Sequence, residues 1–244
     1  RSHMLGLIAG ADADDSVALH APVPDYVCGD NTQLSGLRIG FDPEYCAGLD
    51  ADMQKAVQSA FDVLQSLGAD MRHVRFPDVT DMVADWGTAC AAETAVAHEP
   101  WHPKNKHLYG PGLGGLIEFG RSVSAVEMQK IWLRRRAFTG AVRGFFQNCD
   151  LLLIPAQPMA SPTTQEMSVI GTVPSELARL IKFTAPFDMS GNPTITLPAG
   201  FTVKNTPVAI QLVSAHLDEA TLIRAGSAFQ RVTDWHSRVP PRLN

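Results

Sequence analysis

The chain contains 244 residues, of which 45% are hydrophobic, so it has enough apolar material for a sizeable core. This composition excludes an intrinsically disordered chain, and ordinary glycine and proline contents exclude fibrous and low-complexity classes. The 20 basic and 25 acidic side chains give a formal net charge of -5, which removes the long-range attraction to phosphate backbones that nucleic-acid binding requires.

The cysteine and hydropathy patterns concern the cellular setting. Four cysteines occur without a CxxC spacing, and they are too sparse to brace a chain of this size. This pattern favours a reduced, cytoplasmic setting. No run of about eighteen apolar residues is present, and the first residues lack the basic and apolar segments of a signal peptide, so we expect no membrane span.

Residues 1–36 are predicted to form a helix tail and a connector. Leu5 to Gly10 is typical of the last turn of an apolar helix that ends at a glycine. A helix that ends so early indicates a longer upstream segment. A polar connector with Pro22 and Pro24 follows, and Leu37 to Phe41 then has the pattern of a short buried strand.

The next segments predict a parallel strand, helix, strand crossover. Asp50 is suited to be the N-cap of a helix whose apolar residues recur at helical spacing, and Gly68 is suited to end it. A second strand is predicted from about Met71 to Phe76. A helix of this length carries the chain back over a sheet, which indicates an α/β fold.

The remaining elements complete one predicted α/β domain from residue 37 to residue 244. Glycine-rich residues 110–115 are predicted to form a loop, and Ser124 with Glu127 forms a capping box that opens a long helix. Further helices are expected near Met82 to Val96 and Asp218 to Val232; further strands are expected at Asp150 to Pro155, Thr194 to Leu197 and Val208 to Val213.

Independent cysteine, histidine or metal chemistry receives little support. Cys90 and Cys149 have the sequence context of small buried hydrophobes, whereas Cys46 lies in a polar loop and is the cysteine expected to be accessible. His98, His102 and His107 fall in a proline-interrupted segment without the spacing of a zinc site. We therefore expect solvated histidines on an irregular surface loop and no metal.

Several segments, taken in order, resemble the carboxyl-terminal half of the amidase signature family. The most informative are Phe183 to Gly200, Pro207 to Val213 and Asp218 to Leu222, and upstream segments agree as far back as Ile8 to Asp12. Two positions depart mildly from the family pattern, because Asp188 stands where many members have Asn and Ala209 where many have Gly.

The resemblance implies a mixed, largely parallel central sheet flanked by helices, which this chain would form incompletely. It also implies amide hydrolysis without a cofactor. In the family a Ser attacks the carbonyl carbon, a second Ser relays protons to and from a neutral Lys, and backbone amides stabilise the oxyanion. No residue of this chain matches those catalytic positions, so we expect the 244 residues alone to be inactive.

The resemblance also implies which residues lie beside the acyl group of the substrate. The matching stretch gives Thr184, Phe187 and Asp188 as candidate substrate-binding residues, with Phe187 as an apolar wall and Asp188 as a hydrogen-bond acceptor. Trp86, on the helix predicted from Met82, is a fourth candidate. Both aromatic side chains are equally consistent with simple core packing.

Three interpretations of the function stay open at this point. The first is an amidohydrolase, with esters or carbamates as further substrates, whose catalytic half lies upstream. The second is a non-catalytic module or subunit that completes a separate catalytic chain. The third is the A-type subunit of an amidotransferase. A half-sheet would leave an exposed edge, so we expect a partner chain or a homodimer to cover it.

Overall fold

The computed structural model describes residues 2–27, 32–170 and 173–240. The chain divides into two compact units. Unit 1 draws its described residues from Arg1–Arg75, Phe146–Pro162 and Asn192–Asn244, and unit 2 draws its own from Phe76–Phe145 and Thr163–Gly191. Cys28 lies outside the described residues. The domain boundary at residue 37 stays a prediction.

The described residues form five strands and a series of helices. The strands are β1 (Arg38–Phe41), β2 (Asp70–His73), β3 (Leu151–Pro155), β4 (Thr194–Phe201) and β5 (Pro207–Ser214). The α-helices are α1 (Ser2–Ile8), α2 (Ala51–Ser66), α3 (Thr80–His98), α4 (His102–Asn105), α5 (Pro111–Ser122), α6 (Ala125–Phe145), α7 (Thr164–Ile170), α8 (Pro174–Ile181), α9 (Ala185–Ser190) and α10 (Glu219–Val232). Short 3-10 turns cover Lys106–Leu108 and Trp235–Ser237.

Unit 1 contains a mixed five-stranded sheet with the order β2-β1-β3-β5-β4. The pairs β1 with β2 and β1 with β3 are parallel, whereas β5 is antiparallel to both of its neighbours. Four of the five described strands therefore share one direction. The α/β class and the mixed sheet predicted from the sequence are confirmed.

The central strand β3 is buried along its whole length. Its neighbours satisfy the backbone on both sides, and the apolar faces of α2 and α10 pack against the sheet and complete the core. Such a strand has two buried faces, which explains why its sequence is continuously apolar rather than alternating. The core residues of α10 include Leu222 and Phe229.

The ends of α2 follow the predicted capping chemistry. The Asp50 carboxylate accepts hydrogen bonds from the backbone N–H of Met53 at 2.9 Å and of Ala160 at 2.6 Å, so this N-cap also fixes a distant loop of unit 1. Gly68 follows the helix with a φ of +92°, a conformation that favours glycine. The strand after it is shorter than predicted, because it ends at His73 instead of Phe76.

Unit 2 corrects one prediction, because the glycine-rich segment that we expected to be a loop opens α5. Pro111 occupies the first turn of this helix, where its missing N–H costs nothing, and Ile117 is buried. Gly120 lies against the backbone of α3: a Cβ atom at this position would be 1.9 Å from the Ala91 carbonyl oxygen. Close helix packing therefore overrides the low helix propensity of glycine.

The helices between residues 164 and 190 were not predicted from the sequence. For α7, the missed signal was a complete capping box: the Glu166 side chain accepts from the Thr163 N–H at 2.7 Å, and the Glu166 N–H donates to the Thr163 Oγ1 at 3.2 Å. The predicted capping of α6 is present, with the Glu127 N–H donating to the Ser124 Oγ at 3.1 Å. None of the described helices has the length and hydropathy needed to cross a membrane.

The contact at Gly120 predicts opposite effects for two equivalent substitutions in α5. Gly120→Ala places a methyl group against the backbone of α3 and should lower the free energy of unfolding by about 2 kcal/mol or more. Gly115→Ala, where the new methyl group has no atom within 4 Å apart from its chain neighbours and the adjacent backbone of its own helix, should raise it by about 0.5–1 kcal/mol. Urea unfolding followed by circular dichroism tests both, and effects of equal sign would contradict the packing.

The pair Arg38 and Asp150 predicts a pH-dependent contribution to stability. Arg38 Nη2 donates to Asp150 Oδ1 at 2.6 Å, and the Arg38 backbone N–H donates to Oδ2 at 2.8 Å. The pKa of Asp150 lies below its ordinary value, chiefly because the Arg38 side chain donates hydrogen bonds to the carboxylate. The Arg38 backbone N–H and the positive charge of the guanidinium lower this pKa further. The ionised carboxylate is thus stabilised in the folded state, and this contribution is present above the unfolded-state pKa.

Asp150→Asn should therefore destabilise the protein at pH 7, and the difference from wild type should shrink as the pH falls through the folded-state pKa of Asp150. Urea midpoints measured from pH 7 down to pH 3 test this. Asp14→Asn, at an exposed connector position, is the control and should leave the midpoint unchanged. A destabilisation by Asp150→Asn that is the same at every pH would contradict the assignment.

Candidate substrate-binding site

One face of α3, which we call the Trp86 face, carries the side chains that matter most for the predicted site. Trp86, Cys90 and Glu93 follow one another at intervals of four and three residues, so they lie on the same side of the helix. Trp86 and Cys90 are partly buried, and Glu93 is exposed. Trp86 was a predicted site residue, whereas Glu93 was not, although its helical spacing from Trp86 and Cys90 follows from the sequence.

The structure brings two of the four predicted residues into direct contact. The Trp86 indole Nε1–H donates to Asp188 Oδ2 at 2.9 Å, although 102 residues separate the two in the chain. Asp188 belongs to α9, and its backbone N–H donates to the Thr184 carbonyl at 3.2 Å. Thr184 is the exposed residue immediately before this short helix, which ends at Gly191 in the left-handed conformation.

Phe187 has a different environment from its neighbour Asp188. Its side chain is 3% exposed, and its ring lies 5.7 Å from the ring of Phe76, which also contacts Phe138 and Phe145 edge to face. Phe187 thus belongs to the aromatic core of unit 2, as the packing interpretation expected. A role as an apolar wall of the substrate pocket stays a prediction.

An ion pair holds α3 against α6. Arg134 donates to both oxygens of Asp85, from Nε at 2.6 Å and from Nη2 at 2.7 Å, and Glu127 lies 3.4 Å from the same guanidinium. Asp85 is 8% exposed, so removing its partner would leave a buried acidic side chain without a counter-charge. The hydrogen bonds to Asp85 raise the pKa of Arg134 above its ordinary value.

Arg135, the residue after Arg134 in α6, contacts α9. Arg135 donates from Nε to the Met189 carbonyl, one residue after Asp188, and its guanidinium lies 5.0 Å from the ring centroid of Trp132. Three polar contacts therefore connect α3, α6 and α9 pairwise. Trp86 and Asp188 are positioned by this arrangement and not by a flexible loop.

The electrostatics around Cys90 come from burial and from two carboxylates. Burial first, and then the charges of Glu93 and Asp188, raise the pKa of the Cys90 thiol above its ordinary value. The thiol is therefore protonated at neutral pH, which does not suit a nucleophile. Among the residues that the structure describes, no cationic side chain forms an ion pair with either carboxylate.

Two expectations about reactive side chains are wrong. Cys46, expected to be accessible, is buried with 8% exposure, because the loop that carries it folds over the Asp42 carboxylate. His102, expected to be solvated, is also buried, because the segment forms the short helix α4 and its imidazole packs on Tyr109 at 4.8 Å. His107 is exposed as expected.

The described residues contain no group of three histidine, cysteine, aspartate or glutamate side chains placed to hold a metal ion. A cavity of about 680 Å³ lies in unit 1 between β4 and α10. Its lining includes Ser227, Glu219 and His236, but no hydrogen bond joins these three in the described structure, and none of the predicted site residues reaches it. The cavity is therefore a weaker candidate than the Trp86 face of α3.

Loss of the Arg134 side chain is expected to be the most damaging surface change in unit 2, because it leaves Asp85 buried without a counter-charge. Arg134→Met should lower the urea midpoint several times more than Arg179→Met, which removes an exposed pair with Glu176. The double variant Asp85→Asn/Arg134→Met should recover much of the loss. Equal effects of the two single variants would contradict this role.

Comparison with known proteins identifies the family. The sequence profile of the family named Amidase matches residues 2–223. AmiD from Mycobacterium tuberculosis, whose name assigns it to the amidases, is 39% identical over 239 residues, which cover 98% of this chain and 50% of AmiD. The A-type subunit of a glutamyl-tRNA(Gln) amidotransferase from a Geobacter species is 28% identical over 98% of this chain and 54% of its own length.

The fold comparison agrees. The structure of 6-aminohexanoate cyclic dimer hydrolase superposes with a TM-score of 0.85 at 21% sequence identity, over 98% of this chain and 54% of that chain. This chain thus spans about half the length of the relatives that it matches. The family profile and the 39% identical relative together show that the chain belongs to the amidase family.

Proposed function

We propose that this chain is part of an amidohydrolase that cleaves a carboxylic amide with water as the acceptor. The observation that carries the proposal is the match to the amidase profile over residues 2–223, together with 39% identity to AmiD. The proposed substrate is a small-molecule amide, and the proposed location is the cytoplasm.

The proposed chemistry uses residues outside these 244. By resemblance to the family, a Ser oxygen attacks the amide carbon while a second Ser and a neutral Lys accept its proton; the proton then passes to the leaving amine, and water hydrolyses the acyl-enzyme. No side chain of this chain matches these positions. We therefore propose that the triad comes from an upstream catalytic half or from a partner chain.

This chain would contribute the side of the pocket that contacts the acyl group. Trp86 would present the edge of its indole, Asp188 an oriented carboxylate and Thr184 an exposed hydroxyl. Phe187 would support this surface from the aromatic core of unit 2, where its ring contacts Phe76. Positioning by packed helices suits such a pocket, because small displacements at an acyl site reduce turnover strongly.

An amidotransferase component is the second candidate, because the A-type subunit of such an enzyme aligns over 98% of the chain. Its 28% identity, against 39% for AmiD, favours the hydrolase. The two differ in the fate of the nitrogen: a hydrolase releases it to water, whereas an amidotransferase passes ammonia to an acylated acceptor. Glutamine as the preferred substrate, with turnover that depends on partner subunits, would favour the second candidate.

The experiment compares the 244-residue chain with a preparation that also contains the catalytic half. The chain alone should not cleave a chromogenic anilide, whereas the complete preparation should, and a sulfonyl fluoride that acylates serine should abolish this turnover. Intact mass identifies which polypeptide carries the adduct. Turnover by the chain alone, or a complete preparation inactive on every amide tested, would contradict the proposal.

A further inference from the structure

The outer edge of β4 carries backbone groups that no described residue pairs. Among the described strands, β4 is the last of the sheet and pairs with β5 alone. The Pro193 carbonyl accepts from the Ser214 N–H at 3.2 Å, so residue 193 directs its polar backbone atoms to β5. Because successive residues of a strand alternate, the backbone N–H and C=O groups of Thr194 and Thr196 point away from β5, toward the free edge.

The two halves of this edge differ in their protection against a further strand. Pro198 points outward in the same alternation but has no N–H to donate, and the pairing with β5 becomes irregular between Pro198 and Gly200. Both features are typical of edges that prevent pairing. Thr194 and Thr196 are exposed, pair regularly with β5 and are β-branched, which suits a paired strand. Residues 194–197 are therefore the stretch open to strand addition.

Helix α10 covers the space beside that stretch. Its Gly226 lies on β4, because a Cβ atom there would be 2.8 Å from Ile195 Cδ1. One stripe of the helix, with intervals of four, four and three residues, lines the cavity of about 680 Å³ beside β4: Glu219, Ile223, Ser227 and Gln230. A helix is about 10 Å wide, and neighbouring strands lie about 4.8 Å apart, so α10 can cover one strand beyond β4.

We propose that the polypeptide carrying the catalytic triad adds a strand to residues 194–197 of β4 and places an apolar side chain of that strand in the cavity beside α10. The strand would exchange hydrogen bonds with the backbones of the two threonines. The apolar lining of the cavity includes Leu5, Leu222 and Ile223. The inference rests on the proposed function, because it takes the catalytic half as the occupant, and it assigns the surface that receives that half.

Two arguments favour this occupant over a second copy of the chain. The chain spans about half the length of its relatives, so the relatives contain a further polypeptide of similar length. Two copies joined edge to edge through β4 would carry both α10 helices on the same face of the joined sheet, each close upon its own β4. Packed helices need about 8–10 Å between their axes, whereas paired strands lie about 4.8 Å apart, so the two helices would collide.

Amide hydrogen exchange at single-residue resolution tests the pairing. The 244-residue chain is compared with the preparation that also contains the catalytic half. The N–H groups of Ile195 and Leu197 face β5 and should exchange slowly in both. Those of Thr194 and Thr196 should exchange fast in the chain alone and about a hundredfold more slowly in the complete preparation, because they need an acceptor that β5 does not supply. Fast exchange of both threonine amides in the complete preparation overturns the inference.

Two substitutions at one position separate a lost donor from general damage. Thr196→Pro removes the outward N–H, and the chain alone should accept it, since Pro198 occupies the equivalent outward position two residues later. In the complete preparation this variant should raise the exchange rate at Thr194 about tenfold or more. Thr196→Val keeps the N–H and the side-chain shape and should leave that rate unchanged. Equal rates at Thr194 in the two variants contradict strand addition.

A cavity variant covers the case in which Thr196→Pro does not fold. Ile223→Glu places a charge in the cavity and should raise the exchange rates at Thr194 and Thr196 in the complete preparation about tenfold or more. Val232→Glu, at an exposed position of α10 outside this cavity, is the matched control and should leave both rates unchanged. Unchanged rates in Ile223→Glu count against an apolar side chain in the cavity and overturn that part of the proposal.

Turnover of an anilide is measured on the same samples, so that this inference and the proposed function can fail independently. Protected threonine amides in a complete preparation that cleaves no amide support the docking surface and count against hydrolysis. Turnover without such protection keeps hydrolysis and overturns the docking surface. Protection that appears in the chain alone and increases with its concentration assigns the edge to a second copy and also overturns the inference.

Discussion

The pairing of Asp85 with Arg134 is the constraint on which the candidate site depends. Burying a carboxylate without a counter-charge is costly, and the two hydrogen bonds that the Arg134 guanidinium donates to the largely buried Asp85 hold α3 and α6 in one register. The next residue of α3, Trp86, then meets Asp188, and the next residue of α6, Arg135, meets the Met189 carbonyl. The geometry of the Trp86 face therefore depends on the buried Asp85 and its contacts with Arg134.

The sheet of unit 1 is organised by the burial of its central strand, β3. A strand buried over all five residues needs partners on both edges, which β1 and β5 supply, and α2 and α10 cover the sheet face that carries Leu151 and Leu153. Asp50 connects this framework to the loop after β3 by accepting from Met53 and Ala160. Hydrophobic burial therefore organises unit 1, whereas polar contacts between helices orient the candidate site in unit 2.

The sequence predicted the elements that have a strong local signal. The buried strand after Asp150 and the helix capped by Asp50 were found because periodicity and capping act within a few residues. The helix α5 was missed because its stability depends on Gly120 meeting the backbone around Ala91, a contact that no local pattern encodes. Likewise, the resemblance pointed to Asp188, and helical spacing placed Glu93 on the same face of α3 as Trp86, but only the fold shows that the Trp86 indole donates to Asp188.

The most direct test of the central claim, that the Trp86 face contacts the acyl group, is photoaffinity labelling. An amide inhibitor with a diazirine on its acyl chain is irradiated on the enzyme with its catalytic half present, and the labelled peptides are mapped by mass spectrometry. We expect labels on Trp86 or within residues 184–188. Labels confined to the cavity of unit 1, on β4 and α10, would contradict this claim.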